Sequence, residues 1–130
     1  QDTSLPVQVQ ADQLAVNNAD GTAVFSGNVV VTQGEMKLAA GEVKVSYGAD
    51  KKSIETLIAS GGVTVTNLGD AAEAKEALYT IDSGQIVLSG DVLLTQGPSA
   101  MAGSRLTINL KDGTGVMEGR VTTTFVPGGN

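Results

Sequence analysis

A chain of 130 residues, 41% hydrophobic and only 17% charged, can bury one core, yet its apolar runs are a few residues long and fall far short of a membrane-spanning helix. It has no histidine, cysteine or tryptophan, which removes the commonest general base and metal ligand, the thiol nucleophile and any disulfide; the lack of thiols suits a bacterial envelope. Fourteen acidic against eight basic residues give a net charge of −6, and two Phe and two Tyr offer few stacking platforms, so nucleic-acid binding is disfavoured.

In chain order, Gln1 to Ser4 reads as a mature end left by signal cleavage or as an arbitrary boundary. Val7 to Val16 alternates weakly and ends at the turn cluster Asn17-Asn18-Ala19-Asp20-Gly21. Thr22 to Ser26 reads as the returning strand, Val29 to Thr32 as the next, and Gln33-Gly34-Glu35 as a turn. Met36 to Leu38 and Val43 to Tyr47 continue as strands, with Ala39 to Glu42 as a joint and Gly48-Ala49-Asp50-Lys51-Lys52 as a turn. A second unit starts at Ile54. Asp70 to Leu78 is made of helix formers, which predicts a loop with one helical turn before a strand from Leu78 to Ile81. Asp82-Ser83-Gly84 turns the chain; Ile86 to Leu88, Val92 to Thr95 and Leu106 to Leu110 follow as strands before Lys111-Asp112-Gly113. Apolar and β-branched runs of this length between Gly, Asp and Asn clusters predict an all-β fold.

One phrase recurs: Ser26-Gly27-Asn28-Val29, Ser60-Gly61-Gly62-Val63, Ser89-Gly90-Asp91-Val92 and, more loosely, Glu118-Gly119-Arg120-Val121. Its glycines lie 34, 29 and 29 residues apart, as expected of about four repeated strand-turn units that share one continuous apolar face. The first and third units match at an offset of 63, with Val24, Ser26, Gly27, Val29, Thr32, Gln33, Gly34 and Ala39 recurring as Val87, Ser89, Gly90, Val92, Thr95, Gln96, Gly97 and Ala102. Duplication accounts for a match that preserves both turn residues and strand period.

Residues two apart on a strand share a face. After each repeat glycine stand Val29/Val31, Val63/Val65, Val92/Leu94 and Val121/Thr123, and two places before it come Phe25, Ala59, Leu88 and Met117. Met36, Leu38, Val43, Val45, Met101, Leu106 and Ile108 extend this inward lining. With aromatics only 3% of the chain, the filler between facing sheets is thin, leaving room for an apolar slot suited to fatty acyl chains. The simpler reading is an ordinary aliphatic core.

Ala11-Asp12-Gln13-Leu14, Phe25 to Gly34, Met36-Lys37-Leu38, Ser89 to Gly97 and Gly103 to Leu110 together resemble the OstA-like domain of the LptA family of periplasmic lipopolysaccharide-transport proteins. The resemblance runs from Val7 to Val126 and implies one domain over 1–130, ordered over about 7–126. It implies an open, twisted antiparallel β-jelly roll that holds lipid A acyl chains inside, stacks end to end and meets LptC-like inner-membrane and LptD-like outer-membrane partners. With no apolar span before Val7 and no barrel-sized stretch after Val126, the free-standing member is the form expected, in the periplasm. The expected lipid-binding residues are Phe25, Val29, Val31, Met36, Leu38, Val43, Val45, Val63, Val65, Leu88, Val92, Leu94, Met101, Leu106 and Ile108.

No catalytic constellation, cofactor or metal is expected. Asp20, Asp50, Asp70, Asp82 and Asp112 sit in turn clusters, where carboxylates bond the backbone, and Ser-Gly phrases without a G-x-S-x-G frame or a histidine are not nucleophile elbows. The alternatives to a free-standing lipopolysaccharide carrier are a structural β-repeat module without ligand and, as the resemblance implies, the periplasmic domain of an LptC- or LptD-type partner. The expected assembly edges are Val7, Val9, Val121, Thr123 and Phe125, on terminal strands bounded by Pro6 and Pro127, where a ladder must stop.

Overall fold

The computed structural model describes residues 2–49 and 53–127; part of the turn expected at 48–52, and the tail 128–130, lie outside them. The described residues form strands and turns with no helix. The strands are β1 (Gln8–Gln10), β2 (Gln13–Asn17), β3 (Thr22–Gln33), β4 (Met36–Tyr47), β5 (Ile54–Ser60) and β6 (Val63–Asn67). Then come β7 (Asp70–Ala74), β8 (Glu76–Thr80), β9 (Gln85–Gln96), β10 (Ser99–Asn109), β11 (Thr114–Glu118) and β12 (Thr122–Thr124). All pairings are antiparallel.

The ladder folds over on itself. One layer runs β1-β3-β4-β6-β7-β9-β10-β12 and the other β2-β3-β4-β5-β8-β9-β10-β11, with the long strands β3, β4, β9 and β10 passing through both. The recurrent phrase is the fold line. Ser26 pairs with Glu42 and Val29 with Ala40, so Gly27 and Asn28 face Gly41 alone. Gly61-Gly62, Gly90-Asp91 and Gly119-Arg120 likewise stand two against one beside Gly41, Lys75 and Ser104. Two residues opposite one make a bulge, which bends a strand and sharpens its twist. Both corner residues are left-handed in every copy: φ is 81° and 51° at Gly27 and Asn28, 79° and 83° at Gly61 and Gly62, 86° and 48° at Gly90 and Asp91, and 89° and 47° at Gly119 and Arg120.

Four expectations need correction. Thr22 to Ser26 and Val29 to Thr32 are not two strands but the single strand β3, bent at Gly27-Asn28, and Ile86 to Leu88 and Val92 to Thr95 are likewise the single strand β9, bent at Gly90-Asp91. Ala39 to Glu42 is not a joint: β4 passes unbroken through a one-residue corner at Gly41. Asp70 to Leu78 holds no helical turn but two strands, β7 and β8, meeting at Lys75. Hydrogen-bonded neighbours on both sides, β6 and β9 for β7 and β5 and β9 for β8, outweigh the few tenths of a kcal/mol per residue by which such side chains favour a helix. Val7 to Val16 likewise divides into β1 and β2 at a corner where Asp12 N–H donates to the Gly27 carbonyl at 2.9 Å.

The stretch Thr66-Asn67-Leu68-Gly69, where the second unit departs from the repeat, is a β6–β7 hairpin. Its two turn residues, Leu68 and Gly69, have φ of 52° and 90°, the positive pair of a type I′ hairpin turn.

Inward side chains form cross-strand rows. Val9, Val31, Leu38, Val65, Ala72, Leu94, Met101 and Thr123 line up across one layer, and Leu14, Phe25, Val43, Ala59, Ala77, Leu88, Leu106 and Met117 across the other. The core lies between these rows and is aliphatic apart from Tyr79 and Gln33.

Candidate binding cleft and open edges

The middle of the slot is shut. Val29, Val31, Met36, Leu38, Val43, Val45, Val63, Leu88 and Val92 are all buried against one another, and Phe25 packs half-buried beside them. Toward the C-terminal end the layers separate into a cleft of about 470 Å³ between β6, β7 and β9 on one side and β10, β11 and their connecting turn on the other. Four of the expected lipid-binding residues line it: Val65, Leu94, Leu106 and Ile108. Met101 is half-buried next to Leu94 in the same row, beyond the cleft lining. The structure therefore splits the expected set into a closed group and an open group.

Sequence reasoning missed Ala71, Ala72, Leu68 and Leu110, which also line the cleft. The alanines lie in the segment whose helix formers predict a helical turn, and that composition masks their inward alternation.

The cleft is apolar at its floor and polar at its rim, where Asp70, Gln96, Lys111, Asp112 and Thr114 stand. Gln96 Nε2 donates to Asp70 Oδ2 at 3.2 Å. Asp112 Oδ1 accepts from Thr114 Oγ1 at 2.6 Å and from its backbone N–H at 3.0 Å, and these two bonds, the side-chain one first, hold its carboxyl below the usual aspartate range. Lys111 Nζ donates to the Asp82 carbonyl. Two carboxylates against one cation make a rim that does not attract anions, so a ligand must be retained through its apolar part.

The two layers are offset. Gln33 on β3, second in its layer, meets Tyr79 on β8, fifth in the other, through a hydrogen bond of 2.6 Å from the Tyr79 hydroxyl to Gln33 Oε1. Each layer consequently overhangs at one end. At the N-terminal end Leu14 and Val16 on β2 share the inward face of Phe25 and Ala23 yet are 52% and 61% exposed. At the C-terminal end β12 is exposed throughout, and Phe125 beyond it is 71% exposed.

Of the expected assembly residues, Val7 and Val9 are half-buried against the core. Val9 pairs with Val31, whereas Val121, Thr123 and Phe125 are exposed. β12 is shorter than the expected terminal strand, covering Thr122–Thr124 only. Leu14 and Val16, which the sequence places on a strand, stand at this open edge as well.

Residues 8–114 match the family described as LptA/(LptD N-terminal domain) LPS transport protein. The chain belongs to this family. It is 28% identical over 138 residues to the lipopolysaccharide export system protein LptA of Escherichia coli K12, covering 97% of this chain and 74% of that one. It is also 28% identical over 133 residues to protein R00383 of Rhizobium meliloti, covering 94% of this chain and 72% of that one.

The fold superposes with a TM-score of 0.87 on the crystal structure of LptH of Pseudomonas aeruginosa, the LptA homologous periplasmic component of its lipopolysaccharide transport device. The match has 21% identity and covers 97% of this chain and 99% of that one. The family resemblance and the open antiparallel jelly roll expected from the sequence are both upheld.

Proposed function

We propose that this protein is a periplasmic lipopolysaccharide carrier that takes acyl chains into the cleft between its two layers and lines up end to end with further copies. Family membership and the LptA and LptH relatives support the class of cargo and the compartment. The observation that carries the finer reading is the apolar cleft of about 470 Å³, rimmed by Asp70 and Asp112 and continuous with the inward aliphatic rows. Each methylene buried there contributes roughly 0.8 kcal/mol, so a few acyl chains supply ample affinity without a cationic clamp.

End-to-end assembly rests on the open edges and the overhangs at both ends, with LptC-like and LptD-like domains as the partners that would extend the same sheet. Photocrosslinkers at Val65 and Leu94, which line the cleft, are expected to capture lipopolysaccharide; one at Thr64, next to Val65 on the outward face of β6, is expected not to. Equal capture at all three positions would defeat the proposal.

A second reading, a structural β-repeat module without ligand, is favoured by the closed middle of the slot, where Val31, Leu38 and Val43 are no more than 1% exposed. Mass spectrometry of the protein after incubation with lipopolysaccharide separates the two: that reading requires that no lipid be retained.

A further inference from the structure

Val29 and Val43 are buried in both copies of the duplicated unit, as Val92 and Leu106, but other pairs differ. Val31, Leu38 and Val45 are sealed, while their counterparts at an offset of 63, Leu94, Met101 and Ile108, are half-buried at the open end. Gln33 and Gln96 show the same contrast. Gln96 is exposed at the cleft rim, whereas Gln33 is 1% exposed, a polar side chain buried in the core.

Two contacts distinguish the closed copy. The Tyr79 hydroxyl bonds Gln33 Oε1 across the slot at 2.6 Å, and Gln33 Nε2 donates to the carbonyls of Thr3 and Leu5, each at 2.9 Å. Residues 3–5 reach the far layer, because a Cβ placed on Gly84, in the β8–β9 turn, would stand 3.4 Å from Thr3 Cγ2.

We infer that Gln33 and Tyr79, with the segment 3–5 strapped over them, form a bolt that ends the acyl site and sets how far a chain penetrates between the layers. This rests on the acyl-binding reading above and assigns the limit of that site to named residues. Entry past the bolt would strip three hydrogen bonds from buried groups, and buried polar groups left without partners are costly. On the open side no such penalty exists, since Gln96 already faces solvent. The bolt thus makes Gln33 and Tyr79 specificity-determining residues for the amount of acyl chain held, without direct contact with a head group.

The test uses myristate as probe and intermolecular nuclear Overhauser contacts from its methylenes to protein methyl groups. In the unaltered chain, contacts are expected at Leu94 and Ile108 and none at Val31 or Leu38. In Tyr79→Phe and in Gln33→Leu, contacts are expected to extend to Val31 and Leu38, with a gain in myristate bound per chain.

Contacts at Val31 in the unaltered chain as strong as those at Leu94 overturn the bolt and leave the acyl site standing. So do variants in which Leu94 is contacted and Val31 is not. If no residue is contacted in any form, the acyl-binding reading itself fails and the bolt falls with it. Each variant removes one side of the same bond, so either folded variant suffices for the test.

Discussion

Tyr79 is the residue on which the two layers lock, and its chemistry gives a solution signature. Burial pushes its pKa above the ordinary value of 10.0, outweighing the opposite effect of the Gln33 hydrogen bond. The folded chain keeps this proton where the unfolded chain releases it, so the associated stability is full below pH 10 and is lost as the pH rises through the raised folded value. Urea midpoints are therefore expected to fall from pH 10 upward. Tyr79→Phe removes the hydroxyl, so it should lower stability at neutral pH by about 1–3 kcal/mol and flatten the alkaline decline. An alkaline slope unchanged in that variant would assign the decline elsewhere.

Little of this network was legible beforehand. Gln33 read as a turn residue because Gly34 follows it, although the alternation Val29, Val31, Gln33 already pointed its side chain inward. Its partners Thr3, Leu5 and Tyr79 lie 30, 28 and 46 residues away, and no local pattern encodes contacts at such distances.

At the scale of strands and corners, what the sequence displayed was what the backbone could not do otherwise. The repeat stood out because each bent corner needs two consecutive left-handed residues, and glycine meets that need with no steric cost. The partner corners at Asp12, Gly41, Lys75 and Ser104 need no unusual φ in any copy, so they share no residue type and were invisible. That is also why the sequence predicts two strands where β4 runs and a helical turn around Lys75.

The two glycines of the second corner separate conformation from space. Gly62 has φ of 83° and nothing within 4 Å of an added Cβ, whereas at Gly61, with φ of 79°, that Cβ would lie 3.2 Å from Gly41 Cα. Gly62→Ala is expected to cost about 1–2 kcal/mol, the penalty of a left-handed L-residue. Gly61→Ala should cost more, because the neighbouring backbone must also give way. Chemical denaturation of both variants checks the order; equal losses would mean that the close approach of the two corners carries no energy.

For the whole molecule, the inward face was legible as period-two alternation, but its division into a closed and an open half was not. That division depends on how one layer is slid over the other, which no single strand records.

The same offset argues for the assembly. Counting β1 with β2, β5 with β6, β7 with β8 and β11 with β12, the chain makes eight passes in alternating direction, so the last runs antiparallel to the first. A second copy placed beyond β11 and β12 would thus continue both layers in antiparallel register, with its β1 beside β12 and its β2 beside β11. The overhanging layer around β12 and Phe125 would then cover the overhang bearing Leu14 and Val16, removing apolar surface from water at both ends. Such a heterologous contact leaves a free edge at each end of the pair, and it grows into filaments where the rotation between copies does not close a ring.

Sedimentation at rising concentration is expected to show mass increasing without a fixed endpoint. Leu14→Asp with Val16→Asp blocks one end, and deletion of residues 121–130 blocks the other; each chain alone should stay monomeric and folded. Mixed, the two blocked chains still own one intact head and one intact tail between them, so they should form a one-to-one dimer and nothing larger. If either blocked chain associates as strongly as the unaltered protein, or if the mixture stays monomeric, the strand-to-strand stack is wrong.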